Sequence, residues 1–342
     1  MQGGSRARRI LFLATGGTFG MARRRGDGPL DPLPLQGADL SFLEPLRGLA
    51  DLDARVVASI DSSDMTPALW MQLAEIIAAE IDAYDGFVIL HGTDTMAYTA
   101  AALSFMLQNL PRPVILTGSQ RPMAELRSDA DANLVHSTHC AALDLPEVCI
   151  YFGESLFRGN RATKMSVQSY SAFASPNHPP LVEMGVDIVA RSLPLRPSGP
   201  LELRPGFCED IAALSAFPGQ RASVLHRLID GGARGIVVRG FGEGNLPQRE
   251  WPEAVAAAVS AGVPVVVCSQ CAAGRVTPGR YRNSALLRDA GATFTADMTF
   301  EAAMVKTMWL LGQGVQEPEF KRRFLIPVAG ECSPAPMKSP LG

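Results

Sequence analysis

The sequence contains no apolar run that approaches the roughly 20 residues needed to cross a membrane as a helix. Its cationic start at residues 1–9 is typical of a signal peptide. The apolar run behind it, however, covers only residues 10–14 and stops before Gly16 and Gly17, so it is too short for a secretory leader. We therefore expect neither a membrane anchor nor a leader, and we expect the protein in the cytoplasm.

Cysteine is scarce, with six residues in a chain of 342. Sparse cysteines in mostly apolar contexts are typical of reduced thiols in the cytoplasm. Cys268 and Cys271 form a CxxC pair, but the sequence lacks the second ligand pair that a zinc site needs. Packing is the favoured interpretation of this pair. His136 and His139 are too isolated to indicate metal, so no metal site is expected.

Strong charge and nucleotide fingerprints are also missing. A net charge of −3 gives no electrostatic reason to expect a nucleic-acid partner. Neither GxGxxG nor GxxxxGK[ST] occurs, and a GxSxG nucleophile elbow is absent as well. Hydrophobic residues make up 47% of the sequence and charged residues 19%, which is typical of a protein with a hydrophobic core. The length favours about two domains.

The first half of the chain alternates short apolar segments with amphipathic ones. Strands are predicted at residues 8–14, 54–60, 87–90, 113–118 and 148–153. Between them, Thr66 and Pro67 mark the start of a helix as its N-cap and first residue, and the apolar pattern over residues 97–110 predicts another. Apolar strands separated by helices favour a parallel sheet covered on both faces.

Residues 191–205 contain four prolines and little periodicity, which is typical of a linker. Beyond them the alternation of helices and strands resumes. We predict two α/β domains: a larger N-terminal parallel-sheet domain of flavodoxin-like type at residues 1–190, and a smaller one at residues 209–342. The proline-rich linker covers residues 191–208.

Five predicted strand ends of the first domain carry polar groups, in an order that favours a site at one edge of the sheet. They are Thr15-Gly-Gly-Thr18, Ser62-Ser63, Thr93-Asp94, Ser119-Gln120 and, after a longer loop, Lys164. Each group has a simpler interpretation: a tight turn for TGGT, capping of the next helix by Asp94 or Thr95, and an exposed side chain for Lys164. Their convergence is the stronger signal.

These side chains suit a hydrolase that uses a hydroxyl and a lysine. A threonine hydroxyl is a poor nucleophile until a neighbouring base takes its proton. A lysine withdrawn from water in a closed pocket can act as that base, and an adjacent carboxylate stabilises the cation that forms. Hydroxyls and backbone N–H groups can hold a substrate carboxylate and a developing oxyanion.

The motifs at these strand ends resemble those of the bacterial-type asparaginases. LATGGTFGM (13–21) resembles one family signature, and GFVILHGTDTMAYTA (86–100) resembles the other over a long, specific match. SIDSSDMTP, VILTGSQRPMAELRSD, RGNRATK, ASPNHPPL and GFGEGN resemble the cytoplasmic type I branch, in the same order and at similar spacing. The resemblance covers residues 8–310.

The resemblance implies an L-asparaginase that forms a homodimer or a dimer of dimers and needs no metal or organic cofactor. It implies Thr18 as the nucleophile, and Thr93, Asp94 and Lys164 as the activating triad, with Thr93 also poised at the scissile amide. Ser62 and Asp94 would bind the α-carboxylate and α-amino groups, with Ser63 adjacent. Ser119 would line the leaving-group side, and Asn245 would reach the active site of a neighbouring subunit.

Two sequence features and three rival functions keep alternatives open. The loop at residues 22–35 has no tyrosine, although family members usually carry one there, so another group substitutes, closure differs, or activity is reduced. Cys271 matches a region that some type I enzymes use for allosteric asparagine binding. The resemblance leaves open whether this chain has such a site. Rival functions are a glutaminase-asparaginase, an amidase of a tRNA-amidotransferase complex and a silent amino-acid sensor. About ten residues precede the first predicted strand, too few for the extra domain of the amidotransferase.

Overall fold

A computed structural model describes residues 7–17, 21–23, 30–32 and 41–334. Internal contacts divide the chain into two compact units. The first runs to Ser175 and includes Pro179–Gly206, and the second comprises Pro176–His178 and the residues from Phe207 onward.

The first unit is built on an eight-stranded sheet, to which three two-stranded pairs are added. The strands of the whole unit are β1 (Arg9–Gly16), β2 (Met21–Arg23), β3 (Leu30–Pro32), β4 (Asp51–Ile60), β5 (Gly86–Leu90), β6 (Leu107–Gln108), β7 (Val114–Thr117), β8 (Val148–Phe152), β9 (Ser155–Arg158), β10 (Thr163–Lys164), β11 (Phe173–Ala174), β12 (Val182–Met184), β13 (Ile188–Ala190) and β14 (Glu202–Leu203). Its helices are α1 (Pro67–Ala79), α2 (Met96–Met106) and α3 (Ala130–Ala141), with short 3-10 turns at Ser41–Gly48, Ser62–Asp64 and Gly159–Arg161.

The order across this sheet is β13-β12-β9-β8-β7-β5-β1-β4. The pairs β4–β1, β1–β5, β5–β7 and β7–β8 are parallel, whereas β9, β12 and β13 join antiparallel. Taken in chain order, the five parallel strands lie 2-1-3-4-5, which is the flavodoxin-like arrangement. The predicted α/β fold class is confirmed.

The apolar strands are buried because helices cover both faces of a parallel sheet. β1 and β5 pair in register from Ile10 opposite Gly86 to Ala14 opposite Leu90, and these residues are buried. α1 begins as predicted: the side chain of Thr66 accepts a hydrogen bond from the Leu69 amide, and Pro67 is the first helical residue.

One helix ends earlier than its apolar pattern predicts. α2 stops at Met106, and β6 then pairs antiparallel with β14, which lies within the proline-rich segment. Asn109 has a φ of 56°, a left-handed conformation that a continuing helix does not allow. Tertiary pairing with a segment nearly a hundred residues later therefore decides the end of this helix.

The second unit has a four-stranded parallel sheet in the order β15-β16-β17-β18. Its elements are β15 (Ile211–Ser215), α4 (Ser223–Asp230), β16 (Gly235–Gly240), α5 (Trp251–Ser260), β17 (Val265–Ser269), α6 (Arg282–Asp289), β18 (Thr293–Phe294), α7 (Phe300–Gly312) and α8 (Glu319–Phe324). Trp251 of α5 is fully buried against the valines of β16 and β17, where the predicted alternation places the core.

All six cysteines are free thiols. Cys268 is buried in β17, whereas Cys271 is exposed in the loop that follows. Within the described ranges, His, Cys, Asp and Glu side chains form no group of three or more that could hold a metal ion. Among the helices described, none is long and apolar enough to cross a membrane.

Candidate active site

A cavity of about 320 Å³ opens at the carboxyl edge of the large sheet. β1 lies between β4 and β5, so the strand order reverses beside it, and parallel sheets bind ligands at such a point. The residues that line the cavity are Gly17, Asp61, Ser62, Gly92, Thr93, Asp94, Gln120, Lys164 and Val167. Four predicted site residues, Ser62, Thr93, Asp94 and Lys164, are thus brought together.

Glycines allow three loops to meet at the floor of this cavity. Gly16 and Gly17 have φ values of 105° and 81°, which side chains rarely adopt. A Cβ on Gly17 would lie 2.3 Å from the Gly92 amide nitrogen, and one on Gly92 would lie 2.6 Å from both Cβ and Oγ of Ser62. The ends of β1, β4 and β5 therefore pack backbone against backbone.

Gly92→Ala is expected to destabilise this floor, because its methyl group would force Ser62 out of position. Overpacking of this kind lowers the free energy of unfolding by about 1–3 kcal/mol. Gly48→Ala is the matched control, since a Cβ there meets no heavy atom within 4 Å. Urea denaturation of both variants tests the expectation, and equal midpoints for the two would contradict it.

Lys164 joins Thr93 and Asp94 at the cavity wall. Its Nζ donates to Thr93 Oγ1 at 2.7 Å and to Asp94 Oδ1 at 2.6 Å. The side chain of Lys164 is only 17% exposed, whereas that of Asp94 is 67% exposed. An unprotonated Lys164 could take the proton of the Thr93 hydroxyl, and Asp94 would stabilise the resulting cation.

The local fold brings Lys164 to this place from a distant part of the chain. The 3-10 turn Gly159–Arg161 is buried and contacts α2, the helix that follows Thr93 and Asp94. β10 then pairs antiparallel with β11, with Lys164 opposite Phe173. The lysine is therefore held by a short two-stranded ribbon, so it is not the freely exposed side chain of the simpler interpretation.

Helix capping does not explain the polar residues before α2. Thr95 occupies the N-cap position of α2, but its side chain makes no capping hydrogen bond. Thr95 Oγ1 donates instead to the Ser62 carbonyl at 2.7 Å, which ties the end of β4 to the start of α2. Thr93 and Asp94 direct their oxygens to Lys164.

The two predicted serines after β4 behave differently. Ser62 is buried and lines the cavity. Ser63 is exposed, and both its amide and its hydroxyl donate to Asp61 Oδ1, at 2.8 and 2.7 Å. Asp61 also lines the cavity, a position that the sequence analysis missed. Its place immediately after a predicted strand was the available signal.

Gln120 was named with Ser119 at one of the polar strand ends, but the sequence analysis gave it no role in the site. Thr93 Oγ1 donates to Gln120 Oε1 at 3.4 Å, and Gln120 Nε2 donates to the Ser169 carbonyl at 3.0 Å. Gln120 therefore joins Thr93 to the loop that carries Val167. Ser119 itself is buried, and its hydroxyl has no partner in the described part of the chain. It is absent from the described lining, and its leaving-group role stays a prediction.

Two other predicted residues stand apart from this geometry. Thr18 and the side chains of the loop at residues 22–35 lie outside the described residues, although Gly17, which precedes Thr18, lines the cavity. Asn245 lies in the second unit, where its backbone pairs with Phe241 in both directions. Its predicted contribution to a neighbouring subunit stays a prediction.

Two family models match the chain. "Asparaginase, N-terminal" matches residues 9–195, and "Glutaminase/Asparaginase C-terminal domain" matches residues 210–324. L-asparaginase 1 of Escherichia coli K12 is 43% identical over 279 residues, which are 80% of this chain and 82% of that protein.

Solved structures give the same result. The crystal structure of L-asparaginase I from Vibrio cholerae O1 is 40% identical, has a TM-score of 0.87, and matches 96% of this chain and 100% of its own. The thermostable L-asparaginase from Thermococcus kodakarensis matches the same shares with a TM-score of 0.87 at 31% identity. The resemblance in the sequence motifs is confirmed.

Proposed function

This chain belongs to the asparaginase family, and from that premise we propose that it hydrolyses L-asparagine to L-aspartate and ammonia. The observation that carries the proposal is the contact of Lys164 Nζ with both Thr93 Oγ1 and Asp94 Oδ1 in a cavity that Gly17 and Ser62 also line. Activation of a threonine for attack on an amide requires a hydroxyl, a lysine and a carboxylate in this order.

The reaction proceeds in two steps. In the first, the Thr18 hydroxyl attacks the carbon of the side-chain amide, and its proton is passed by way of Thr93 and Lys164 to the leaving nitrogen. Ammonia leaves, and an ester between Thr18 and the β-aspartyl group remains. In the second, a water attacks the same carbon, the threonine oxygen recovers a proton, and L-aspartate is released.

Substrate recognition is assigned to two polar residues of the cavity lining, Asp94 and Ser62. The Asp94 carboxylate would accept hydrogen bonds from the substrate's α-ammonium group, and the Ser62 hydroxyl would donate to its α-carboxylate. Asp94 is the most exposed member of the triad, so one oxygen can hold Lys164 while the other meets the substrate. A cavity of about 320 Å³ suits a small amino acid.

The proposal also includes a homodimer, or a dimer of dimers, in the cytoplasm. Six free thiols suit a reducing compartment. In the assembly, Asn245 of one subunit would complete the site of its neighbour. Sedimentation velocity with parallel activity measurements tests this: an active monomer at the lowest concentrations assayed would contradict it.

Ammonia release from L-asparagine and L-glutamine over a wide concentration range tests the function. We expect asparagine to be the preferred substrate and L-aspartate to inhibit as the product. Equal turnover of both amides would favour the broader glutaminase-asparaginase. A sigmoidal asparagine curve that Cys271→Ala makes hyperbolic would support an allosteric site in the loop after β17.

A folded wild type that releases no ammonia would contradict the proposal. Calorimetric titration with L-asparagine would then decide between an amino-acid sensor and a different substrate. Tight binding without turnover is the expected signature of a sensor on this fold.

A further inference from the structure

One edge of the large sheet is formed by β13. This strand pairs with β12 on one side and, among the described strands, has no neighbour on the other. Its residues Ile188, Val189 and Ala190 are all exposed, and so is Val186 in the turn before them. An exposed apolar strand at a sheet edge offers its backbone groups to another strand. This edge is therefore a surface to which a further strand can be added.

The backbone groups of β13 alternate between β12 and the open edge. The Arg191 amide donates, and the Asp187 carbonyl accepts, within the hairpin that β12 and β13 form. Alternation along an antiparallel pair directs the groups of Val189 to the same side. The N–H and C=O groups of Ile188 and Ala190 therefore face away from β12, towards the open edge.

This edge is complementary to itself. When a second copy of β13 runs antiparallel about a two-fold axis at Val189, Ile188 faces Ala190 of the other copy. Each such pair exchanges both of its N–H···O=C bonds, using the groups that face the open edge. The same axis places Asp187 opposite Arg191. An axis at Ile188 or Ala190 would place Asp187 opposite an apolar residue instead.

The charges at the edge favour the axis at Val189. Asp187 is exposed, and its carboxylate makes no hydrogen bond or ion pair in the described part of the chain. Arg191 is half exposed, and its Nε donates to Glu183 Oε2 of β12 at 2.7 Å. Asp187, Val189 and Arg191 share one face of the strand, because side chains alternate. In the two-fold pair, each Arg191 would lie between its own Glu183 and Asp187 of the other copy.

The opposite face of the strand is apolar. Ile188 pairs with Met184 of β12, and Met184 is buried in the core of the unit. Ile188 is 49% exposed, so the apolar row of the sheet continues beyond its last covered strand. Ala190 of the other copy would lie beside Ile188 and cover it, and its small side chain leaves room for the larger one.

We propose that the β13 edge binds a second copy of this chain, by two-fold antiparallel pairing centred at Val189. The two large sheets then continue into one, and the same surface serves both copies, as in any two-fold interface. Within the described lining of the cavity there is no residue of β12 or β13. In a dimer of dimers, this would be the contact that completes no active site. The inference does not depend on amide hydrolysis.

The alternative is an edge that its charges keep free of any partner. Short edge strands with charged residues are a common protection against pairing. Protective charges repel a second copy, whereas here the two-fold axis places opposite charges face to face. The two interpretations therefore differ in the effect of charge reversal.

Sedimentation velocity over a range of concentrations compares the wild type with Asp187→Lys and Arg191→Glu. Each substitution places like charges opposite each other across the axis, so each variant is expected to sediment at half the wild-type mass. An equal mixture of the two variants restores both opposite-charge pairs and should recover the wild-type mass. A short strand pair buries little surface, so the association should depend on concentration.

Asp82→Lys is the matched control, because Asp82 is an exposed carboxylate in the turn after α1 and undergoes the same charge change. It should keep the wild-type mass. Wild-type mass for Asp187→Lys and Arg191→Glu, a mixture that does not associate, or a wild type that is monomeric throughout would each overturn the inference.

Cross-linking tests the position of the axis. Opposite residues of an antiparallel pair have Cβ atoms about 4.5–5.5 Å apart, so oxidation with diamide should join two copies of Val189→Cys by a disulfide. Val186→Cys is the control, since Val186 is more exposed than Val189 but lies away from the axis. Both are made with Cys271→Ser and Cys332→Ser, which remove the thiols that are not buried. Equal cross-linking of the two variants would overturn the inference.

Activity separates this inference from the proposed function. Asp187→Lys is expected to release ammonia from L-asparagine at the wild-type rate, because the described lining of the cavity contains no part of this edge. A wild type that releases no ammonia would contradict the proposed hydrolysis and leave the sedimentation and cross-linking results standing. Unchanged mass of the charge variants with normal turnover would overturn the β13 contact alone.

Discussion

Lys164→Met is expected to lower kcat for L-asparagine about 10³-fold, within the usual range for loss of a general base. Lys164 Nζ contacts Thr93 Oγ1 and Asp94 Oδ1, and methionine keeps most of the side-chain volume while removing the amine proposed to exchange the proton. The Kd for L-aspartate should change little, because the assigned substrate contacts belong to Ser62 and Asp94. Initial rates with calorimetric binding measure the two effects separately.

Lys321→Met is the matched control, because Lys321 is a half-buried lysine of α8 in the second unit and is absent from the described lining of the cavity. It should retain wild-type turnover. Lys164→Gly with added alkylamines gives a sharper test, since a small amine can occupy the vacated space and act as the base. Rate recovery that depends on amine concentration supports a base at this position. Near-normal turnover by Lys164→Met would show that Lys164 is not that base.

Thr18→Ala is expected to lower turnover about 10⁴-fold or more, because it removes the proposed nucleophile, without which no ester can form. Gly17, its neighbour in the chain, lines the cavity beside Gly92. Thr93→Val should also be strongly impaired, but for a different reason, because the proposed role of the Thr93 hydroxyl is to relay the proton. Kinetics alone do not separate these roles.

Mass spectrometry of acid-quenched enzyme during turnover separates them. A β-aspartyl group is expected on the peptide that contains Thr18, in wild type and, at reduced level, in Thr93→Val. Thr138 is buried in α3 and absent from the described lining of the cavity, so Thr138→Ala serves as the control and should acylate normally. An aspartyl group on the Thr93 peptide would reverse the two assignments.

Most of the fold was predictable because parallel strands buried on both faces leave a strong apolar signal. β1, β4, β5, β7 and β8 all overlap predicted segments, although β1 ends two residues later and β4 begins three residues earlier than predicted. The start of α1 was also predictable, because its signal is local: Thr66 and Pro67 are adjacent in sequence. The end of α2 was not, because β14 competes for Leu107 and Gln108 from a distant part of the chain.

Part of the site was predictable for the same reason. Polar residues at the ends of neighbouring parallel strands must share one edge of the sheet, so Ser62 and Thr93 were expected to meet. Which of two adjacent serines lines the cavity was not predictable. Ser63 is held by Asp61, and only the geometry of the 3-10 turn Ser62–Asp64 decides this.

The sequence by itself determined the family, the α/β class and the residue types that carry the chemistry, because these depend on local motifs and on the burial pattern of each segment. Tertiary structure alone decided that Lys164 reaches Asp94 across 70 positions in the chain, that Gln120 joins Thr93 to a distant loop, and that His91 bonds inward to Thr99. The physical reason is that a side chain's partner depends on which backbones approach each other, and that approach is set by packing of the whole unit.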